Sequence, residues 1–318
     1  MIIKKQKYKD YMINWIEEKR NFIKESTYAN YSNLLYNYIL PNVGDYKLKE
    51  LNYKIIQDMI LKLFSNGNGL SIKTIKDIVT LINSSLRSAF NDDKLKQFNL
   101  RFNYPKELSI RKMQLLSKEE QNILLDYILN NISEKNIGIL ISLLYGLRIG
   151  EICALKWCDI DFKSNLIHVN KTIQRIYIKQ NKGSISKIII TVPKTKNAIR
   201  DIPISDKFAV ILSKMQKDEN NYIITGNNNY VEPRSYRNYF SNLLKKLNFK
   251  NFKFHSLRHT FATNCIELGT NYKTVSELLG HSNINTTLNL YVHPSFSEKK
   301  NCINNLYSSY NIDVNSSK

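Results

Sequence analysis

The chain has 318 residues, 42% of them hydrophobic, which excludes a disordered segment and leaves room for two domains with a sizeable core. Lysine and arginine outnumber aspartate and glutamate by 47 to 27, a formal net charge of +20. An excess of that size points to a polyanionic partner, most simply nucleic acid, with lysine enrichment for solubility as the plain alternative. The opening MIIKKQKYKD carries charge from its fourth residue and has no apolar signal-peptide core. The longest apolar run, near Ile137 to Tyr145, is too short to cross a bilayer, so a cytoplasmic protein with no membrane partner is expected.

Residues 8–92 read as helices. Tyr8, Tyr11, Met12 and Trp15 fall at helical spacing. Ser26-Thr27 is placed to cap a second helix carrying Tyr31, Leu34, Leu35 and Tyr38, which Pro41 should end. A third helix, 53–64, stops at the breaker cluster Asn66-Gly67-Asn68-Gly69. A fourth opens near Ser71 and repeats apolar residues at Ile72, Ile75, Val79, Ile82, Leu86 and Phe90. Together these predict an all-α bundle over 1–94, followed by a polar, basic linker over 95–114.

A second unit, 115–318, opens at the capping-box pattern Ser117-Lys118-Glu119-Glu120. Helix is expected to about Tyr145 and again over 151–155. Strands are expected at 166–173, 188–192 and 200–204, the last two joined as a hairpin by Pro193-Lys194-Thr195-Lys196-Asn197. Helical periodicity returns over most of 206–291. The fold class is therefore α+β, mostly helical with a small antiparallel sheet. The four cysteines, Cys153, Cys158, Cys265 and Cys302, form no CxxC pair. They are expected as free thiols, with no metal and no cofactor.

Several residues carry chemistry. Arg148 stands between two glycines in GLRIGEICALKW, where the surroundings read as core. In HSLRH, His255, Arg258 and His259 share one helical face. Arginine and histidine donors suit an anion better than a cation, and guanidinium forks match phosphate oxygens; a surface helix of mixed charge is the plain alternative. In LLGHS, Leu278-Leu279-Gly280 reads as a helix end that presents His281. Tyr291 follows ten residues on; in a chain with 20 tyrosines, a single one reads locally as core packing. Lys194 and Lys196 lie on the strand turn, where a solvated lysine is the local reading.

Taken together, Arg148, Lys194, His255, Arg258, His281 and Tyr291 occur in an order that resembles the active-site signature of the tyrosine recombinase (phage integrase) family. The matching stretches are GLRIGEICALKW, PKTKNAIRDIPI, HSLRHTFAT, LLGHSNINTT and the Tyr291 that follows them. The resemblance spans residues 115–308. More weakly, the N-terminal helices resemble the family's core-site DNA-binding domain; the further arm-site domain of some members is expected to be absent.

The resemblance implies strand exchange through a covalent 3′-phosphotyrosine. Tyr291 would be the nucleophile, and a phenol with an ordinary pKa of about 10 needs help at neutral pH. His255 would accept its proton. Lys194, with Lys196 as its rival, would protonate the departing 5′-oxygen. Arg148 and Arg258 would hold the non-bridging oxygens, each such donor contributing roughly 3–4 kcal/mol. His281 would donate to the phosphate, His259 would support the fold, and Glu151 would orient Arg148. No metal or cofactor is implied.

The implied partners are double-stranded DNA recombination sites and a homotetramer joined through the tail after Tyr291, with packing in cis as the alternative. Accessory directionality or DNA-bending proteins are compatible with the resemblance. Integration or excision of a mobile element is the expected role. The alternatives are a dimer-resolving chromosome or plasmid recombinase, a type IB topoisomerase and a catalytically decayed DNA-binding regulator.

Overall fold

The computed structural model describes residues 6–65, 69–95, 101–106, 114–193, 195–250, 252–291, 300, 303–306 and 308. Its helices are α1 (Tyr8–Arg20), α2 (Glu25–Leu34), α3 (Leu40–Val43), α4 (Tyr53–Ser65), α5 (Ile72–Asn91), α6 (Lys118–Asn130), α7 (Glu134–Tyr145), α8 (Ile149–Ala154), α9 (Asp206–Met215), α10 (Pro233–Lys246), α11 (His255–Glu267), α12 (Tyr272–Leu279) and α13 (Asn285–Tyr291). Its strands are β1 (Ile160–Asp161), β2 (Leu166–Val169), β3 (Thr172–Lys179), β4 (Ser184–Thr191) and β5 (Arg200–Pro203). Contacts divide the chain into two compact units: Met1–Lys112 with Gln174–Ile189, and Met113–Ile173 with Ile190–Lys318. A mostly helical unit with small antiparallel sheets follows a helical N-terminal domain.

In the first unit, Tyr8, Tyr11, Met12 and Trp15 are all buried, as their spacing requires. In α5, Ile72, Ile75, Val79, Ile82 and Leu86 face the core, while Phe90 is exposed. The Ser71 hydroxyl accepts the Thr74 N–H at 3.2 Å and caps that helix. Two expectations need correction. Helix α2 begins at Glu25 with Lys24 as its N-cap, so Ser26 and Thr27 lie inside the first turn and do not cap it. Pro41 does not end the helix either. The chain takes a π-helical turn at Leu35–Ile39, where the Leu40 N–H reaches back five residues to the Leu35 carbonyl, and then runs through Pro41 to Val43. The wider turn just ahead of the proline fits a residue that brings no N–H and crowds the preceding turn.

The hairpin β3–β4 contributes to this first unit. Ile176 and Ile178 join its buried core. The Asn33 side-chain amide donates to the Tyr177 carbonyl at 2.7 Å, the Lys179 N–H donates to Ser32 Oγ at 3.1 Å, and Lys187 pairs with Glu25.

The second unit is built around α7, most of whose residues are buried and against which α11 packs; α12 and α13 pack on α11. The capping box at Ser117 is present: Ser117 Oγ accepts the Glu120 N–H at 3.2 Å, and Glu120 Oε2 accepts the Ser117 N–H at 2.8 Å. The sheet order is β1-β2-β5, with β3-β4 as a separate pair. The expected hairpin over 188–204 therefore does not form. Strand β5 pairs antiparallel with β2, from Leu166 opposite Pro203 to Val169 opposite Arg200. That register sets Ile202 against Ile167, both fully buried. Pro193 lies between β4 and β5, and with no N–H to donate it cannot continue a ladder.

Candidate active site

The turn after α7 answers why an arginine interrupts an apolar run. Gly146 ends α7 in the left-handed region at φ 70°, and a Cβ there would fall 2.5 Å from the Phe261 ring. Ser142 Oγ donates to the Leu147 carbonyl at 3.0 Å. Arg148 is the N-cap of α8, and its own N–H donates to Glu151 Oε2 at 2.9 Å. Gly150 lets α8 approach closely, since a Cβ would sit 2.6 Å from the Ile173 carbonyl oxygen. Each backbone step around Arg148 is held before the side chain begins.

The guanidinium is held as well. Arg148 Nη1 donates to Glu151 Oε1 at 2.7 Å and Nη2 to the Gly280 carbonyl at 3.2 Å. Its side chain is 35% exposed, against 3% for Glu151. Arg258, on α11, is only 1% exposed; Nη1 donates to the Gly146 carbonyl at 2.7 Å and Nη2 to the Leu279 carbonyl at 2.5 Å. Arg258 thus lies beneath the surface on which Arg148 opens.

A third arginine joins them, one to which sequence reasoning gave no role. Arg200, on β5, donates through Nε to the Leu278 carbonyl at 2.6 Å and through Nη1 and Nη2 to both Glu151 oxygens at 3.2 and 2.9 Å. Three consecutive carbonyls at the end of α12, those of Leu278, Leu279 and Gly280, each receive one guanidinium. These carbonyls lack intrahelical donors and sit at the negative end of the helix dipole, which favours cations there. Gly280 makes the geometry possible by ending α12 at φ 63°, with the His281 N–H bonded back to the Ser276 carbonyl at 3.0 Å. The available signal for Arg200 was strand alternation: it shares the inward face of β5 with Ile202.

The histidines surround this point. His281 follows Gly280, and its Nδ1 lies 2.9 Å from the hydroxyl of Thr287, a fully buried residue of α13 that sequence reasoning also passed over. His255 opens α11 with an exposed ring set edge-on to His259, centroids 4.4 Å apart. Partial removal from water, then the charges of His259, Arg258, Arg148 and His281, lower the His255 pKa to about 4. His281 is lowered to about 4 by removal from water and then by Arg258, Arg148 and Arg200. His259 is also lowered to about 4, by removal from water and then by Arg258. All three rings are neutral at pH 7. Burial opposes ionisation of Glu151, but Arg200 first and Arg148 next outweigh it and bring its pKa to about 2.

The structure thus brings Arg148, Arg258 and His281 together at one helix end, with His255 within reach of their charges. Tyr291 is the last residue of α13, one helical turn after Thr287; its side chain lies outside the described part. Lys194 lies outside the described residues, as does the side chain of Lys196. The loop that carries them is pinned just beyond: Asn197 Nδ2 donates to the His281 carbonyl at 3.3 Å. Nearly all of the tail after Tyr291 also lies outside the described residues. Among the described residues, no group of His, Cys, Asp and Glu is arranged to hold a metal ion, and no helix is long and apolar enough to cross a membrane.

Fixed guanidiniums beside neutral imidazoles are suited to holding a phosphodiester while a nucleophile attacks it, which defines the class as an enzyme of phosphoryl transfer. The pattern of the Phage integrase family matches residues 114–298, and that of the Phage integrase, N-terminal SAM-like domain matches residues 7–64. The Tyrosine recombinase XerC-like protein of Caldanaerobacter subterraneus subsp. tengcongensis is 29% identical over 93% of this chain and 82% of its own length. The Transposase from transposon Tn916 of Enterococcus faecalis is 29% identical over 72% of this chain; the chain spans 60% of that protein's length. The ICEBs1 integrase of Bacillus subtilis is 25% identical, covering 87% of this chain and 75% of its own. In fold, the chain is similar to the Tn1549 transposon integrase solved in complex with transposon right end DNA, with a TM-score of 0.77 and 23% identity over 95% of this chain and 100% of that one. It is also similar to the lambda integrase bound to DNA, with a TM-score of 0.58 and 19% identity over 87% of this chain and 92% of that one. The chain belongs to the phage integrase family and is a site-specific DNA recombinase of the tyrosine type.

Proposed function

We propose that this recombinase integrates or excises a mobile element, and that Arg148, Lys194, His255, Arg258, His281 and Tyr291 perform the chemistry. The relatives named for transposon Tn916 and for ICEBs1 support the mobile-element role. The observation that supports the residue assignment is the convergence of Arg148 and Arg258 on the last carbonyls of α12, directly ahead of His281, whose ring is held by Thr287.

The Tyr291 phenol oxygen attacks the scissile phosphorus, forming a P–O bond as the bond to the 5′-oxygen breaks. His255, neutral at pH 7, takes the phenol proton. Lys194 gives a proton to the departing 5′-oxygen. Charge that builds on the non-bridging oxygens is met by Arg148 at the surface and by Arg258 from beneath. When the Thr287 hydroxyl donates to His281 Nδ1, the neutral ring carries its proton on Nε2 and presents it to the phosphate. The phosphotyrosine ester conserves the bond energy, and a second 5′-hydroxyl reverses the step. In this reading residues 1–94 grip the core site, 95–114 link, and 115–318 catalyse. Four protomers then act on two duplex sites in the cytoplasm, with the tail as a bridge between them and accessory DNA-bending or directionality proteins as further partners.

The test uses nicked duplexes carrying the junction sequences that flank the gene, on which cleavage releases a short fragment and traps the enzyme. Wild-type protein is expected to form a covalent adduct, and Tyr291→Phe to bind the duplex without forming one. An adduct with Tyr291→Phe would reject the assignment of the nucleophile.

A further inference from the structure

Arg200 is 7% exposed and does not open on the surface where Arg148 does. Four of its N–H groups are committed: Nε to Leu278 O, Nη1 to Ala198 O and Glu151 Oε1, and Nη2 to Glu151 Oε2. Glu151 therefore faces two guanidiniums with one charge. Arg148 meets it through Nη1 and through its backbone N–H, and Arg200 meets both oxygens through its fork.

We infer that Arg200 is a positioning residue for strand transfer, which takes up the charge of Glu151 so that Arg148 keeps its own for the scissile phosphate. A buried carboxylate attracts whichever cation reaches it. With Arg200 in place, Arg200 shares both Glu151 oxygens, so Glu151 orients the Arg148 guanidinium through Oε1 alone while Oε2 holds the Arg148 backbone N–H. Nη2 of Arg148 then stays on the Gly280 carbonyl, beside His281. Without Arg200, both carboxylate oxygens turn to Arg148. The guanidinium is drawn into a bidentate pair, its charge is cancelled, and its hold on Gly280 is lost. Arg200 also ties β5 to the end of α12 through Leu278, so a purely structural role is the competing explanation.

This inference rests on the proposed contact of Arg148 with phosphate, and the two fail differently. The experiment measures adduct formation on the nicked duplex that traps wild-type protein. A second duplex has one non-bridging oxygen of the scissile phosphate replaced by methyl, which removes the negative charge. Arg200→Gln is expected to slow trapping on the phosphate duplex on the order of 10–100-fold, the range seen when an outer-shell partner is lost. On the neutral methylphosphonate, which asks less of Arg148, the deficit is expected to shrink to within about threefold. Arg200→Lys keeps the charge and is expected to recover most of the rate on phosphate. Melting curves run alongside, and Arg200→Lys is the variant read if Arg200→Gln does not fold. Equal losses on both duplexes, or a folded Arg200→Lys as slow as Arg200→Gln, would overturn the role given to Arg200. No adduct from wild-type protein on any junction duplex would instead count against the proposed function.

Discussion

A guanidinium serves a phosphodiester best when its direction is set before the substrate arrives, and at Arg148 that is done by Glu151 Oε1 and the Gly280 carbonyl. Removal from water, and then the same crowding of cations, keeps the histidines neutral, with a consequence for stability. In the unfolded chain each ring takes up its proton near its ordinary value of about 6.5. In the folded protein His255 and His281 stay neutral down to about pH 4. Between those values the unfolded state holds more protons, so folding stability falls as pH drops from about 6.5 towards 4. Above that window the two rings add no pH dependence. Melting temperature is therefore expected to decline on acidification through this window, and less steeply in His255→Asn and His281→Asn. A decline as steep in both variants as in wild type would remove these rings from the account. In the proposed complex a phosphodiester brings negative charge to both rings and raises their pKa values, so binding of DNA near pH 5 is expected to take up protons.

At the scale of elements, the end of α12 does the organising, and Gly280 is the residue on which it turns. An added Cβ there would sit 2.8 Å from the Asn197 carbonyl oxygen and 3.1 Å from Ala198 Cα, at a φ of 63° that L side chains rarely adopt. Gly280→Ala is expected to cost about 1–2 kcal/mol from the left-handed backbone alone, before the clash is counted. Adduct formation is expected to drop by more than that destabilisation accounts for, because three arginines take their direction from this turn. A melting temperature lowered as expected, with trapping unchanged, would show that the arginines do not depend on it. That α12 ends at Leu279 was legible, because glycine at C′ is a local signal. So were the Ser117 capping box and the apolar stripe of α5. The three arginines on consecutive carbonyls were not legible, because they come from α8, β5 and α11 and such pairing leaves no periodic trace in any one segment. The order Arg148, His255, Arg258, His281 picked out residues that the fold brings close together; their mutual geometry, and the contacts of Arg200 and Thr287, needed the fold. Pro41 misled for a related reason, since proline was read as a stop and the π turn ahead of it accommodates the ring.

At the scale of the whole molecule, chain order and packing diverge at residues 174–189. In sequence the segment lies inside the second module, between a strand and the turn bearing Lys194, and its many polar residues hide two core positions. By contacts it belongs with the N-terminal helices, because strand alternation buries Ile176 and Ile178 there while Tyr177 between them stays exposed. The backbone joins in as well, with Asn33 and Ser32 bonding to the strand at Tyr177 and Lys179. If this hairpin completes the core of the N-terminal bundle, removing its buried side chains must loosen helices that lie far earlier in the chain. Ile176→Ala and Ile178→Ala are each expected to destabilise the first unit by about 2–5 kcal/mol, the usual cost of emptying such a site. Ile185→Ala, on the same hairpin but half exposed, is expected to change stability by less than about 0.5 kcal/mol. Hydrogen exchange read separately over the two units makes the comparison direct. Faster exchange across α1, α2 and α5 in the first two variants, with the second unit unchanged, is the expected result. Loss of protection confined to the hairpin itself would mean that the bundle folds without it, and that the division by chain order is the better description.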